Sequence, residues 1–262
     1  MKKLIESRLR LKKKLQDRQK VFAGWNSFYH PSITEIFAKT GLDLIGIDIE
    51  HSTISVEQSQ RIMVACHSLD TVCLSRIASH SMESIKRQLD AGADGIIAPM
   101  VNTAEEAKQL INWIKYPPVG KRSFGVARAQ GYGLDYDEYV NSWNDSSIFI
   151  AQIESVQGVE NIDSILDLKD LDGVMIGPYD LSGSLGLPGQ LDHPDVKKAC
   201  EKVVAACKKH GKSCGTQIVE VSEQNIQNAL DSGYTFIVVS SDLFLMWKWA
   251  ERTGEILRKM GK

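Results

Sequence analysis

Two acidic residues each follow an apolar run that is typical of a buried strand. Glu154 ends the run Ile150–Glu154, and Asp180 follows the run Gly173–Pro178. A carboxylate just past a buried strand loses hydration unless it is paired or binds a cation. Two such strand ends in succession predict a hard divalent ion with oxygen ligands and positions open to a chelating substrate. The alternative is a pair of salt-bridged carboxylates or helix caps, with Asp180 as the N-cap of the next helix.

Two basic residues also lie at predicted strand ends. Arg76 ends the run Val72–Arg76, and its fork of donors suits the carboxylate or the developing enolate oxygen of a small acid. His51 follows another apolar run and can accept a proton near neutral pH, with Asp48 as a carboxylate that would raise its basicity. An ion pair for Arg76 and an ordinary polar environment for His51 remain the alternatives.

Short apolar runs alternate with helical patterns along the chain, which predicts a parallel sheet. Eight runs in 262 residues favour a closed (β/α)8 TIM barrel over an open sheet. We expect one domain over residues 1–262, in which residues 1–20 form an extra N-terminal amphipathic helix with a solvated basic side. The runs are Val21–Asn26, Asp43–Ile49, Thr71–Ile77, Gly95–Met100, Ile148–Glu154, Gly173–Pro178, Lys212–Ile218 and Phe236–Ser240.

The carboxyl ends of the strands in such a barrel meet at one mouth, where the reactive groups of these folds lie. Further candidates at these ends are Trp25, Asp48, Gln152, Gly177, Pro178 and Tyr179. The backbone N–H groups of Tyr179 and Asp180 could hold a substrate carboxylate. No predicted strand has Lys at its centre or carboxyl end, so imine chemistry is disfavoured. Neither a P-loop nor a dinucleotide-binding glycine pattern occurs, and we expect no nucleotide cofactor.

The composition is that of an ordinary globular protein and excludes several classes of partner. The chain is 43% hydrophobic and 24% charged, with a formal net charge of −2, which argues against a nucleic-acid or membrane partner. The five cysteines show no zinc-site spacing and fit reduced thiols in the cytoplasm. No apolar run has the length of a membrane span.

Several segments, taken in order, resemble the HpcH/HpaI aldolase family, which contains metal-dependent aldolases of the 2,4-dihydroxyhept-2-ene-1,7-dioate and 2-dehydro-3-deoxy-sugar-acid type. The resemblance covers almost the whole chain after the first helix. The segments are Ile47–His51, Gln88–Ala93, Ala98–Val101, Tyr116–Arg122, Gln152–Glu154 and Ile176–Ser182.

The resemblance implies roles around a metal ion, which would be Mg²⁺ or Mn²⁺, with Co²⁺ as a third candidate. Glu154 and Asp180 would be its ligands. Gln152 would hydrogen-bond substrate beside the ion, and the backbone of Tyr179 and Asp180 would hold the pyruvate carboxylate. Arg76 would stabilise the enolate.

The resemblance also implies a base and a quaternary structure. His51 would be the base, and Asp90 would approach it from a neighbouring subunit. The assembly would be a homo-oligomer, hexameric or otherwise trimer-based, with terminal helices exchanged between subunits. Arg122 and Arg128 fall in a variable loop that would meet the distal end of the substrate, which suggests an acidic distal group.

We therefore expect a carbon–carbon lyase that cleaves a 2-keto-4-hydroxy acid to pyruvate and an aldehyde. Two alternatives remain open. A synthase or an acyl-CoA or citrate-type lyase could use the same enolate chemistry on this barrel. A non-catalytic keto-acid-binding protein is the alternative from another class, since Ile49 and Tyr179 stand where many relatives have smaller residues.

Overall fold

The computed structural model describes residues 1–261 and has the predicted barrel at its centre. Its eight parallel strands pair in sequence order, and the last strand pairs with the first, which closes the sheet. Each strand lies within its predicted run. The strands are β1 (Val21–Asn26), β2 (Leu44–Asp48), β3 (Val72–Arg76), β4 (Gly95–Ala98), β5 (Ile148–Ile153), β6 (Gly173–Ile176), β7 (Ser213–Ile218) and β8 (Phe236–Val239). The (β/α)8 fold is thus confirmed.

Helices follow the strands and cover the outside of the sheet. They are α1 (Lys2–Gln16), α2 (Pro31–Ala38), α3 (Val56–Ser68), α4 (Met82–Ala91), α5 (Ala104–Ile114), α6 (Tyr136–Ser146), α7 (Val156–Glu160), α8 (Ile162–Leu166), α9 (Pro178–Ser184), α10 (Pro194–Lys209), α11 (Glu223–Asp231) and α12 (Asp242–Lys259). Ser55 and Thr103 begin α3 and α5 with capping boxes, which fix where each helix starts. No helix within residues 1–261 is both long and apolar enough to cross a bilayer.

Helix α1 closes the amino end of the barrel. Its Leu11 and Leu15 are buried in the same apolar cluster as the interior residues of the strands. The basic side of the helix is only partly solvated, in contrast to the prediction, because three of its cations pair with carboxylates at this end of the barrel.

These carboxylates repeat at one position of the fold, immediately before strands β2, β4 and β6. Each accepts a hydrogen bond from a backbone N–H at the start of the preceding strand. The carboxylates Asp43, Asp94 and Asp172 lie 2.5, 3.6 and 2.9 Å from Lys14, Arg8 and Lys12 respectively. Helix α1 is therefore attached to the amino end of the barrel by ion pairs as well as by its leucines.

Candidate active site

Arg76 is positioned at the mouth by the end of the neighbouring strand. Asp48 and Arg76 are register partners on β2 and β3. Arg76 donates from Nε and Nη2 to the two Asp48 oxygens at 3.1 and 2.8 Å. Its guanidinium also lies 5.0 Å from the centre of the Trp25 ring. These contacts fix the plane of the guanidinium and leave Nη1 as the remaining donor group.

Trp25 lies beneath Arg76 inside the barrel and is only 2% exposed. Gly46 makes room for it, because a Cβ at that position would lie 2.3 Å from the indole. The structure thus places Trp25 as a support for Arg76. Its predicted contact with substrate stays a prediction.

Glu50, rather than Asp48, is the carboxylate beside the His51 side chain. Asp48 Oδ1 accepts hydrogen bonds from the backbone N–H groups of Glu50 and His51, both at 3.1 Å. The His51 imidazole is two-thirds exposed, and its Nε2 lies 3.7 Å from Glu50 Oε2. Glu50 was at the predicted strand end, but no role was assigned to it. The sequence could have indicated Glu50, because side chains alternate along an extended segment and residues 48 and 50 therefore lie on the same side.

Glu154 and Gln152 lie buried at the end of β5. Glu154 Oε1 accepts the Met100 N–H at 2.7 Å, and its Oε2 accepts a hydrogen bond from Gln152 Nε2. Gly177 lies against this carboxylate, because a Cβ there would be 2.3 Å from Glu154 Oε2. The orientation of the Glu154 carboxylate therefore depends on three elements, which are the ends of β4, β5 and β6.

Asp180 lies inside the first turn of α9, and Gly177 is the residue at the N-cap position. The alternative in which Asp180 caps the helix is therefore wrong. The first turn of a helix leaves its N–H groups without intrahelical partners, so within residues 1–261 those of Tyr179 and Asp180 are available to a carboxylate. Asp180 and Glu154 line one cavity of about 650 Å³, whose walls are Met100, Glu154, Tyr179, Asp180, Gly183, Ser184, Pro188 and Gly189. The exposed Tyr179 ring reaches Gly189 at the wall.

The carboxylates at the mouth repel one another. Burial raises the pKa of Glu154, and the charges of Asp180 and Glu50 raise it further, against the lowering effect of the Met100 N–H and Gln152. Burial also raises the pKa of Glu50, with Arg76 and His51 opposing and Asp48 and Asp180 contributing to the rise. A cation among these carboxylates would lower the pKa of each one and favour its ionised form.

The oxygen atoms at the mouth fit the ligand preference of a hard divalent cation. Glu50 Oε2 and Gln152 Oε1 are both buried and have no hydrogen-bond partner within residues 1–261, although Arg76 Nε lies 3.2 Å from the former. Carboxylate and amide oxygens of this kind are the ligands that Mg²⁺ and Mn²⁺ prefer. Glu154 and Asp180 would hold such an ion, with Glu50 and Gln152 beside it.

Asp90 and the two loop arginines lie away from this mouth. Asp90 is on the last turn of α4, just before β4 begins, and therefore at the opposite end of the barrel from His51. Arg122 is buried and donates to Asp90 Oδ1 at 2.9 Å. Arg128 donates to the Ala91 carbonyl oxygen. Within one chain, Arg122 and Arg128 therefore do not line the mouth, and their expected contact with the distal end of the substrate stays a prediction that requires a neighbouring subunit.

A second cluster of ligand-type side chains also lies at the amino end. His67, Cys73 and Asp94 bring their ligand atoms within 4.8 Å of one another. Asp94 Oδ2 already accepts the Cys73 N–H at 2.9 Å and lies 3.0 Å from His67 Nε2, with the Arg8 cation nearby. Because catalytic groups of these barrels lie at the carboxyl ends of strands, this cluster is separate from the mouth.

The fold and its oxygen-rich mouth define a (β/α)8 barrel equipped to bind a small acid. The model of the HpcH/HpaI aldolase/citrate lyase family matches residues 22–248, and the chain belongs to this family. The family expected from the sequence is thus confirmed.

Individual relatives agree with this assignment. The chain is 36% identical over 237 residues to hydroxypyruvate/pyruvate aldolase of Roseobacter denitrificans, covering 90% of this chain and 91% of the relative. It is 36% identical over 223 residues to 2-keto-3-deoxy-L-rhamnonate aldolase of Salmonella gallinarum, covering 84% and 82%. A crystal structure of a family member from Burkholderia cenocepacia superposes with a TM-score of 0.88 at 28% identity, covering 95% and 99%. The names of the relatives agree with the predicted aldolase activity.

Proposed function

We propose that this protein is a metal-dependent aldolase that reversibly cleaves a 2-keto-4-hydroxy acid to pyruvate and an aldehyde. The observation that carries the proposal is the convergence of Glu50, Glu154 and Asp180 at one mouth beside Arg76 and His51. A divalent ion, Mg²⁺ or Mn²⁺, would supply Lewis-acid polarisation of the keto group.

The side chains of the mouth would divide the remaining work. The N–H groups of Tyr179 and Asp180 would hold the substrate carboxylate. The unpartnered Oε1 of Gln152 would accept a hydrogen bond from a donor group of the substrate. His51 would take the proton of the 4-hydroxyl group, and the electron pair of the C3–C4 bond would move toward the keto oxygen. Arg76 would stabilise the negative charge that develops there.

The aldehyde is proposed to be neutral. Within residues 1–261, the cavity beside Glu154 and Asp180 has no Lys or Arg in its wall. Arg76 is committed to Asp48 and Glu50 and would meet the keto oxygen. Within one chain, a carboxylate on the aldehyde would therefore approach other carboxylates, and no cation of the cavity wall would receive it.

We further propose a homo-oligomer. Helix α12 presents several large apolar side chains to solvent, which in a stable protein are usually covered by a partner. They include Leu243, Leu245, Met246, Trp247, Trp249, Ile256 and Leu257. Asp90 is at the wrong end of its own barrel to meet His51, so its expected role requires a second copy of the chain. The free thiols fit the proposed cytoplasmic location.

The proposal is tested with pyruvate, Mn²⁺ and a panel of aldehydes, with the aldol adduct as the readout. Glycolaldehyde and lactaldehyde represent neutral acceptors, and glyoxylate and succinic semialdehyde represent acidic ones. We expect adducts with the neutral aldehydes, at least tenfold higher kcat/KM than with the acidic ones, and loss of activity in EDTA. Pyruvate binding without adduct from any aldehyde would instead favour the non-catalytic binding protein.

A further inference from the structure

A cavity at the amino end of the barrel is lined mainly by cations. It lies between α1, the ends of α3 and α4, and the 3-10 turn Arg128–Gly133, and has a volume of about 600 Å³. Its basic side chains are Lys2, Lys3, Arg8, His67 and Arg128, and its acidic side chains are Asp70 and Asp135. Asp70 is engaged by Lys3 at 3.5 Å. The cavity therefore has an excess of positive charge.

Arg8 is the innermost of these cations and the least well paired. It is 1% exposed, and its Nε and Nη2 have no hydrogen-bond partner within residues 1–261. Its guanidinium lies over the rings of Tyr139 and Trp143, at 5.5 and 5.3 Å from their centres. Buried guanidinium groups normally satisfy their donors, so this one requires a further explanation.

The ion pair of Arg8 is longer than the two equivalent ion pairs that α1 makes. Lys14 and Lys12 reach their carboxylates at 2.5 and 2.9 Å, whereas Arg8 remains 3.6 Å from Asp94. Asp94 Oδ1, which faces Arg8, likewise has no hydrogen-bond partner within the described chain. Asp94 instead directs its other oxygen to His67 at 3.0 Å. One carboxylate thus serves two buried or nearly buried cations.

Arg128 adds a third cation to the same corner. Burial alone would lower the pKa of His67, but the Asp94 carboxylate outweighs burial and raises this pKa to about 10. Arg128 Nη2 lies 3.1 Å from His67 Nδ1, a contact that is a hydrogen bond only if His67 is neutral. In the protonated ring that Asp94 favours, the contact joins two cations. An anion beside them would relieve the repulsion.

We propose that this cavity binds a phosphate group, either free or carried by a small metabolite. Guanidinium and ammonium donors that converge on one space are the usual ligands of phosphate, and the exposed Lys2 and Lys3 would close the site from solvent. The volume exceeds that of phosphate alone, which leaves room for an attached organic group. The site lies at the opposite end of its own barrel from Glu154, and none of its lining residues belongs to the mouth of that barrel.

Isothermal titration at constant ionic strength tests the site, with inorganic phosphate and glycerol 3-phosphate as probes on EDTA-treated protein. We expect saturable binding of phosphate that Arg128→Gln weakens about tenfold or more, since it removes a charged donor. Arg87→Gln is the matched control, because Arg87 is an exposed arginine that pairs with Glu83 on α4. If Arg128→Gln does not fold, the double change of Lys2 and Lys3 to Gln tests the same cavity on exposed residues. Tighter binding of glycerol 3-phosphate than of phosphate would identify a metabolite as the ligand, and the reverse order would identify free phosphate.

A repeat with Mg²⁺ and saturating pyruvate separates this site from the mouth. Phosphate affinity should be unchanged, since pyruvate would occupy the other end of the barrel. Three results would overturn the proposal, namely no saturable binding, equal weakening by Arg87→Gln, or displacement of phosphate by pyruvate.

Discussion

At the scale of single residues, the geometry of Arg76 matters as much as its charge. Its Nε and Nη2 both contact Asp48, and the guanidinium lies over the Trp25 ring. Arg76→Lys keeps the cation but loses the planar fork. We expect kcat for aldol cleavage to fall by a factor on the order of 100, as it does when one oxyanion donor is removed. Arg61→Lys, on the exposed face of α3, should leave the rate unchanged, and an equal loss in both variants would remove Arg76 from its role.

Glu50 is a residue whose contacts with His51 and Arg76 emerged only from the structure. It lies 3.7 Å from His51 Nε2 and 3.2 Å from Arg76 Nε, so it contacts both groups that would act on the substrate. Glu50→Gln keeps the size of the side chain and removes the charge. We expect kcat to decrease by roughly tenfold to a hundredfold, in line with the loss of partners that orient reactive groups. Steady-state kinetics of Glu50→Gln beside Glu57→Gln, an exposed control on α3, would show whether the loss is specific.

At the scale of elements, the junction of β6 and α9 brings the backbone of Gly177 against the Glu154 carboxylate. A Cβ at Gly177 would lie 2.3 Å from Glu154 Oε2, whereas a Cβ at Gly183 on the same helix meets nothing within 4 Å. Gly177→Ala should therefore displace Glu154 and weaken Mn²⁺ binding and kcat/KM by at least tenfold. Gly183→Ala should retain both. Equal behaviour of the two variants in Mn²⁺ titrations would show that this close approach is unimportant.

The contact between His67 on α3 and Asp94, the residue before β4, makes stability depend on pH. The Asp94 carboxylate raises the pKa of His67 from 6.5 to about 10 in the folded chain. A group with a raised folded pKa stabilises the fold fully below its unfolded pKa and loses that contribution as the pH rises through the folded value. The difference in unfolding free energy between wild type and His67→Gln should thus shrink between pH 6.5 and 10. Urea titrations in phosphate-free buffer measure it, and a difference that grows with pH would contradict the ion pair.

At the scale of the whole molecule, α12 exposes an apolar surface that is typical of a subunit interface, and no other element of the described chain covers it. Trp247 and Trp249 are about half and two-thirds exposed, respectively. A change of Trp249→Glu should lower the oligomer mass measured by light scattering, because a charge would enter the apolar contact. Lys248→Glu, whose side chain pairs with Glu251 on the exposed helix surface, is the neighbouring control. A wild-type chain that is monomeric at micromolar concentration would exclude the proposed assembly.

The barrel could be predicted from the sequence because apolar runs and their spacing are local signals, and each strand lies inside its predicted run. The convergence of residues such as Glu154, Asp180 and Arg76 followed from topology alone, since parallel strands end at one mouth. The direction of side chains after the strands was not predictable. Arg122 is in a loop near the fourth strand, but packing turns it into the core. Asp180 belongs to a helix of seven residues, which is too short for a periodic signal.

Hydrogen exchange at the methyl group of pyruvate in D₂O, followed by proton NMR, tests the central claim without knowledge of the aldehyde. If a cation at Glu154 and Asp180 makes pyruvate acidic at C3, Mg²⁺ should support exchange, EDTA should stop it and added Mg²⁺ should restore it. Folded Glu154→Gln should exchange at least a hundredfold more slowly. Exchange that is indifferent to EDTA, or that is as fast in Glu154→Gln as in wild type, would contradict a metal-dependent aldolase at this mouth.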